Sequence, residues 1–133
     1  MDVLVDSNVL IDLFSENSEW YGWSSGMFAE LGDAHVLVIN PIIYAEVAPG
    51  FPSQEALEAA LYPRLRREAL PWEAAFLAGQ CFLKYRRQGG QKRSPLPDFF
   101  IGAHAAVTGM TLLTRDGARY RQYFPKLKVI APE

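Results

Sequence analysis

The chain has 133 residues, half of them hydrophobic and 13% aromatic, with one cysteine and a formal net charge of −2. That length and composition exclude disorder and predict one domain over residues 1–133 with a buried core, held by packing because a lone cysteine forms no internal disulfide. No apolar run approaches the roughly 20 residues of a membrane span, and "MDVLVDSN" has no basic leader, so a soluble cytoplasmic protein with no membrane partner is expected.

"DVLVD" (2–6) reads as a short buried strand, and "SNVLIDLF" turns into helical spacing through Val9, Leu10 and Leu13. "SEWYGWSSGMFAELG" (18–32) predicts a second helix, ending at Gly32, and "AHVLVI" (34–39) a second strand without alternation, as in parallel strands covered on both faces. Asn40 followed by Pro41 is a helix cap and first helical position, so "PIIYAEVA" is a short helix stopped by "PG". Ser53 caps "QEALEAALYPRLRREA", which Pro63 kinks or breaks. "PWEAAFLAGQCFLKYRRQ" (71–88) predicts a long helix whose apolar stripe includes Trp72, Phe76, Gly79, Phe82 and Leu83, with Cys81 as a core residue. "GGQKRSPLP" is a loop. It leads to a helix over 98–108, a strand at "MTLLT" (110–114), a short helix at "GARYRQYF" and a last strand at "KVIA" (128–131). Alternation of strand and helix predicts an α/β fold, a three-layer α/β/α sandwich with a mostly parallel central sheet. In such sheets, sites form beyond the carboxyl ends of the strands.

Four acids fall near that rim. Asp6 ends the first strand, and Glu46 sits in the helix entered from the second. Asp98 opens the helix leading to the third, and Asp116 follows that third strand in "LLTRDG". Each also has a structural reading. Asp6 and Asp116 suit turns, Asp98 suits a helix cap, and Glu46 suits a solvated helix face. Gathered without a counterion, however, four carboxylates raise one another's pKa and destabilise the fold. A hard dication resolves this, and an all-oxygen set favours Mg²⁺ or Mn²⁺ over zinc. Phosphoryl or phosphodiester transfer is the chemistry suited to that ion. Residues 1–63 hold ten acids and no Lys or Arg, whereas residues 64–133 hold all 13 basic residues and five acids. A polyanionic partner meeting the basic half fits this asymmetry, and a scattered solvated surface is the alternative.

"VLVDSNVLIDLF", Glu46 in "IIYAEV", "LPDFFIGAHAAVTG" and "LLTRDGARYRQYFP", in that order, resemble the PIN domain, and within it the VapC-type toxins of toxin–antitoxin pairs. The resemblance implies a Mg²⁺- or Mn²⁺-dependent endoribonuclease with RNA as substrate, a cognate antitoxin and a homodimeric assembly. By position, Asp6, Glu46, Asp98 and Asp116 match the family's acidic quartet as catalytic and metal-binding residues. Asp6 and Asp98 would be the most direct ligands. Asn8 and Thr114 match polar positions that fix those acids.

His104, six residues and about 600° past Asp98, is expected to pack or serve an interface. Asp12 is expected to be a solvated helix residue, and Arg115 to contact phosphate or the surface. Trp20, Tyr21 and Trp23 suit the core, RNA stacking or a partner contact. Two rival readings are a Mg²⁺-dependent small-molecule phosphohydrolase and a non-catalytic RNA- or protein-binding module. Asn8, where haloacid-dehalogenase-like enzymes need a second acid, argues against a phospho-aspartate mechanism.

Overall fold

The computed structural model describes residues 1–93 and 96–132; residues 94 and 95 of the predicted "GGQKRSPLP" loop, and the acid at position 133, lie outside the described residues. In chain order the elements are β1 (Asp2–Val5), α1 (Ser7–Leu13), α2 (Tyr21–Ala34), β2 (Val36–Ile39), α3 (Pro41–Val47), a 3₁₀ turn (Ala48–Gly50) and α4 (Gln54–Ala60). There follow β3 (Arg66–Arg67), α5 (Trp72–Arg87), α6 (Pro97–Thr108), β4 (Thr111–Leu113), α7 (Gly117–Tyr123) and β5 (Val129–Ile130). All the strands pair in parallel, in the order β3-β2-β1-β4-β5. Val3, Leu4 and Val5 are all fully buried. Successive strand side chains point to opposite faces, so both faces of the sheet are covered and the fold is the three-layer α/β/α sandwich. Among the described residues no helix is long and apolar enough to cross a membrane.

The helix starts follow local chemistry. Asn40 Oδ1 accepts from the Ile43 N–H at 2.9 Å and Ser53 Oγ from the Ala56 N–H at 3.1 Å. Gly109, at φ 73°, ends α6 in the left-handed conformation that glycine adopts without steric cost. Within α6, a Cβ on Gly102 would stand 2.4 Å from the Phe124 ring, so that close approach requires glycine.

Several expectations are corrected. Helix α2 begins at Tyr21 and runs past Gly32 to Ala34. Pro63 follows a true break: α4 ends at Ala60, and the basic segment beyond it forms the edge strand β3. Charged edge strands resist pairing with other chains, which is why β3 carries no hydrophobic signal. Asp98 is the second residue of α6 and not its cap, which is Leu96. Of the apolar stripe expected inside α5, Trp72, Phe76 and Leu83 are exposed while Phe82 is half-buried against the core, and the fully buried positions of the helix are Ala74, Ala78 and Cys81. Small residues let α5 approach α6 closely, and that outweighs the larger hydrophobic faces.

Asp12 is also buried, not solvated. Its carboxylate accepts from Ser24 Oγ at 2.6 Å and from Arg115 Nε at 2.7 Å and Nη2 at 3.1 Å. The Arg115 guanidinium lies 5.7 Å from the centroid of the half-buried Trp20 ring. His104 is fully buried. Because the Asn40 oxygen is used by the helix cap, its amide nitrogen donates to His104 Nδ1 at 2.9 Å, which leaves the ring proton on Nε2. His104 Nε2 stands 3.4 Å from Glu68 Oε1, and burial holds the ring's pKa below its ordinary value.

Candidate active site

β1 lies between β2 and β4, so chain order reverses direction across it, and the carboxyl ends of β1 and β4 open on the same rim. The ladder continues one residue past β1, where the Asp6 N–H donates to Leu113 O at 2.9 Å. This sets Asp6 beside Thr114. Thr114 Oγ1 donates to Asp6 Oδ2 at 2.8 Å and accepts from the Asp116 N–H at 3.0 Å and from Asn8 Nδ2 at 3.3 Å. The hydroxyl's one proton and both lone pairs are thereby used. Asn8 Oδ1 in turn accepts from the Arg115 N–H at 3.2 Å.

Asp6 caps α1, with Oδ1 accepting from the Ser7 N–H at 2.7 Å. The Ser7 hydroxyl donates to Glu46 Oε1 at 2.7 Å and stands 3.4 Å from Asp6 Oδ1, so Ser7 links β1 to α3. From α7, the Tyr120 hydroxyl donates to Asp6 Oδ2 at 2.9 Å and lies 3.3 Å from Asp98 Oδ1. Arg119 Nη1 donates to Asp98 Oδ2 at 2.5 Å, and its Nε stands 3.4 Å from Asp116 Oδ2. Asp6, Glu46 and Asp98 are thus joined through Ser7 and Tyr120, and Asp116 reaches Asp98 through Arg119. Sequence reasoning missed Ser7 as a link, and Tyr120 and Arg119 altogether. A buried Tyr needs a partner for its hydroxyl, and that was the available signal.

Arg119 offsets the charge on Asp98 and Asp116 but does not reach Asp6 or Glu46. Burial pushes the Asp6 carboxyl up to about 6; the Asp98 charge adds to the rise, while the Thr114, Tyr120 and Ser7 hydrogen bonds oppose it. Glu46 is also raised, first by burial and then by the Asp98 charge, against the Ser7 hydrogen bond. Tyr120 is raised by its own burial and by Asp6 and Asp98, which keeps it a neutral hydroxyl donor. A dication fits this donor set: the oxygens are hard, and among the described residues no Lys or Arg pairs with the buried Asp6 carboxylate. Among the described residues, no three or more His, Cys, Asp or Glu side chains close into a ready-made cage. Mg²⁺ does not require one, because it usually keeps several waters and takes one or two carboxylates.

The VapBC2 assembly from Rickettsia felis, solved on a DNA fragment from its promoter, is similar to this chain with a TM-score of 0.73 at 18% identity, covering 98% of each chain. A toxin–antitoxin complex from Klebsiella pneumoniae gives a TM-score of 0.64 at 24% identity, again covering 98% of each chain. The sarcin–ricin loop-cleaving toxin VapC20 from Mycobacterium tuberculosis gives 0.62 at 15% identity, over 88% of this chain and 93% of that one. These likenesses show a shared fold. Among curated proteins none matches the chain. The PIN domain family profile matches residues 3–124, from the first strand to the end of the last helix. This chain belongs to the PIN domain family.

Proposed function

We propose that this chain is a Mg²⁺- or Mn²⁺-dependent endoribonuclease of the VapC toxin type, a single domain acting in the cytoplasm, assembled as a homodimer and held in check by an antitoxin. The observation that carries the reading is the buried Asp6 carboxylate, joined to Asp98 through one Tyr120 hydroxyl and to Glu46 through Ser7. When bound, the dication supplies a lowered pKa for a nucleophilic water and a counter-charge at the scissile phosphate. Asp6 and Asp98 would hold it, with Glu46 and Asp116 reaching it through water. Thr114 and Ser7 fix the Asp6 carboxylate, and Asn8 fixes Thr114. The VapC20 likeness supports RNA as substrate, and the toxin–antitoxin likenesses support an antitoxin partner.

A binding module without catalysis draws on one specific observation: Arg119 already pairs with Asp98 and Asp116, which satisfies those charges without a metal. RNA cleavage separates the two. Cleavage is expected with Mg²⁺ or Mn²⁺, lost on chelation, and lost in Asp6→Asn and Asp98→Asn variants that retain the native circular dichroism spectrum. Cleavage at the wild-type rate in both variants would overturn the assignment.

A further inference from the structure

Two arginines reach the acidic rim, and their surroundings differ. Arg115 is committed: its Nε and Nη2 both donate to the buried Asp12 carboxylate, and its guanidinium lies against the Trp20 ring. Pulling it away would leave a buried charge without its cation, so the phosphate contact expected of Arg115 is a costly one. Arg119 is held loosely. Its side chain is 55% exposed, Nη1 donates to Asp98 Oδ2, and Nε stands 3.4 Å from Asp116 Oδ2, on a side chain 48% exposed. Solvent screens both pairs, so little opposes their exchange for another anion. The base of the side chain is nevertheless fixed, because the next residue, Tyr120, is buried with its hydroxyl on Asp6.

A guanidinium fork fits carboxylate and phosphate oxygens alike. Arg119 and a dication both draw on Asp98, so Arg119 is released when that carboxylate takes up the ion. The surface beyond it is cationic. Tyr123, one helical turn on from Arg119, donates its hydroxyl to Gln88 Oε1 at 3.4 Å, which ties α7 to the end of α5. Lys84 Nζ lies 5.8 Å from the centroid of the same Tyr123 ring. Lys84, Arg86 and Arg87 form the basic last turn of α5, and among the described residues no carboxylate pairs with them. A chain of phosphates leaving the acids past Arg119 meets these cations next.

We propose, on the nuclease reading above, that Arg119 is a two-position residue. It pairs with Asp98 and Asp116 without the ion and, with the ion in place, donates to a phosphate of the RNA strand, which continues over Lys84. Ion and RNA then bind cooperatively through one side chain, and the coupling is reciprocal.

Fluorescence anisotropy of a labelled single-stranded RNA tests this, read in chelator and in Ca²⁺, a hard dication for oxygen donors, with the RNA checked intact on a gel. Ca²⁺ is expected to tighten RNA binding by the wild type by at least about fivefold. Arg119→Gln is expected to lose most of that gain while binding RNA in chelator nearly as tightly as the wild type. Arg119→Lys, which keeps the charge without the fork, recovers part of it. Lys84→Gln is expected to weaken binding alike in both conditions, because no carboxylate holds that ammonium. No gain with Ca²⁺ in the wild type, or a gain that survives in Arg119→Gln, overturns the two-position arginine. So does an equal loss in that variant with and without Ca²⁺. Wild-type affinity in Lys84→Gln overturns the path of the strand, and is also the result if the basic turn serves an acidic protein instead. Cleavage in Mn²⁺ is read in a separate assay: its absence in the wild type defeats the nuclease reading, whereas cleavage with an unaltered Ca²⁺ gain in Arg119→Gln defeats only the role of Arg119.

Discussion

The Tyr120 hydroxyl donates to Asp6 Oδ2 at 2.9 Å, one fully buried side chain serving another that is almost as deep. Together with Thr114 and the Ser7 N–H, it gives the buried carboxylate three donors, yet burial still dominates and the carboxyl titrates near 6. Tyr120→Phe removes one donor and leaves the packing intact. Loss of about 1–2 kcal/mol of stability is expected by urea denaturation without metal. An unchanged midpoint would show that the hydroxyl does not support Asp6.

Asp6 also sets a pH dependence of the metal-free protein. Its folded pKa of about 6 lies above the ordinary 3.8, so between those values the folded state binds more protons than the unfolded one. Stability from this group is therefore highest below about 4 and is lost as pH rises through 6, by up to about 3 kcal/mol. Asp6→Asn removes the titrating group. Relative to the wild type, the variant is expected to gain stability as pH rises from 4 to 7 in chelator. A constant difference between the two across that range would contradict the raised pKa.

Arg119 competes with any cation for Asp98 and Asp116. Its side chain is more than half exposed, so these pairs are screened and worth at most about 1 kcal/mol. Arg119→Gln is expected to tighten Mn²⁺ binding by up to about fivefold, read by calorimetric titration. Weaker binding in the variant would mean that the guanidinium assists the metal site.

The Asp12–Arg115 pair predicts a structural phenotype. Asp12→Ala leaves the guanidinium without its buried partner and Ser24 without its acceptor, at an expected cost of about 2–4 kcal/mol. Thermal melting checks this. A variant of wild-type stability would return Asp12 to the solvated role expected from sequence.

The rim of the sheet was legible in sequence because strand ends and helix caps are local signals. "VLVD" placed Asp6, "LLTRD" placed Thr114 and Asp116, and Asn40–Pro41 fixed the helix that presents Glu46. Tyr120 and Arg119 were not legible, since a short helix such as "GARYRQYF" gives no sign of which residue turns inward. The orientation of α5 was misread for a related reason. Hydrophobicity favours Trp72 and Phe76 for the interior, but close packing on α6 selects Ala74, Ala78 and Cys81. Asp12 is a core residue because Ser24 and Arg115 both bond its carboxylate, and Arg115 is a partner more than a hundred positions away.

The direct measurement of the shared carboxylate site is a calorimetric titration of Mn²⁺ into the wild type, Asp6→Asn and Asp98→Asn at pH 8, where Asp6 is ionised. Saturable binding by the wild type, weakened more than tenfold in each variant, is the predicted result. Equal affinity in all the proteins, or no binding by the wild type, would contradict a site built by Asp6 and Asp98 together.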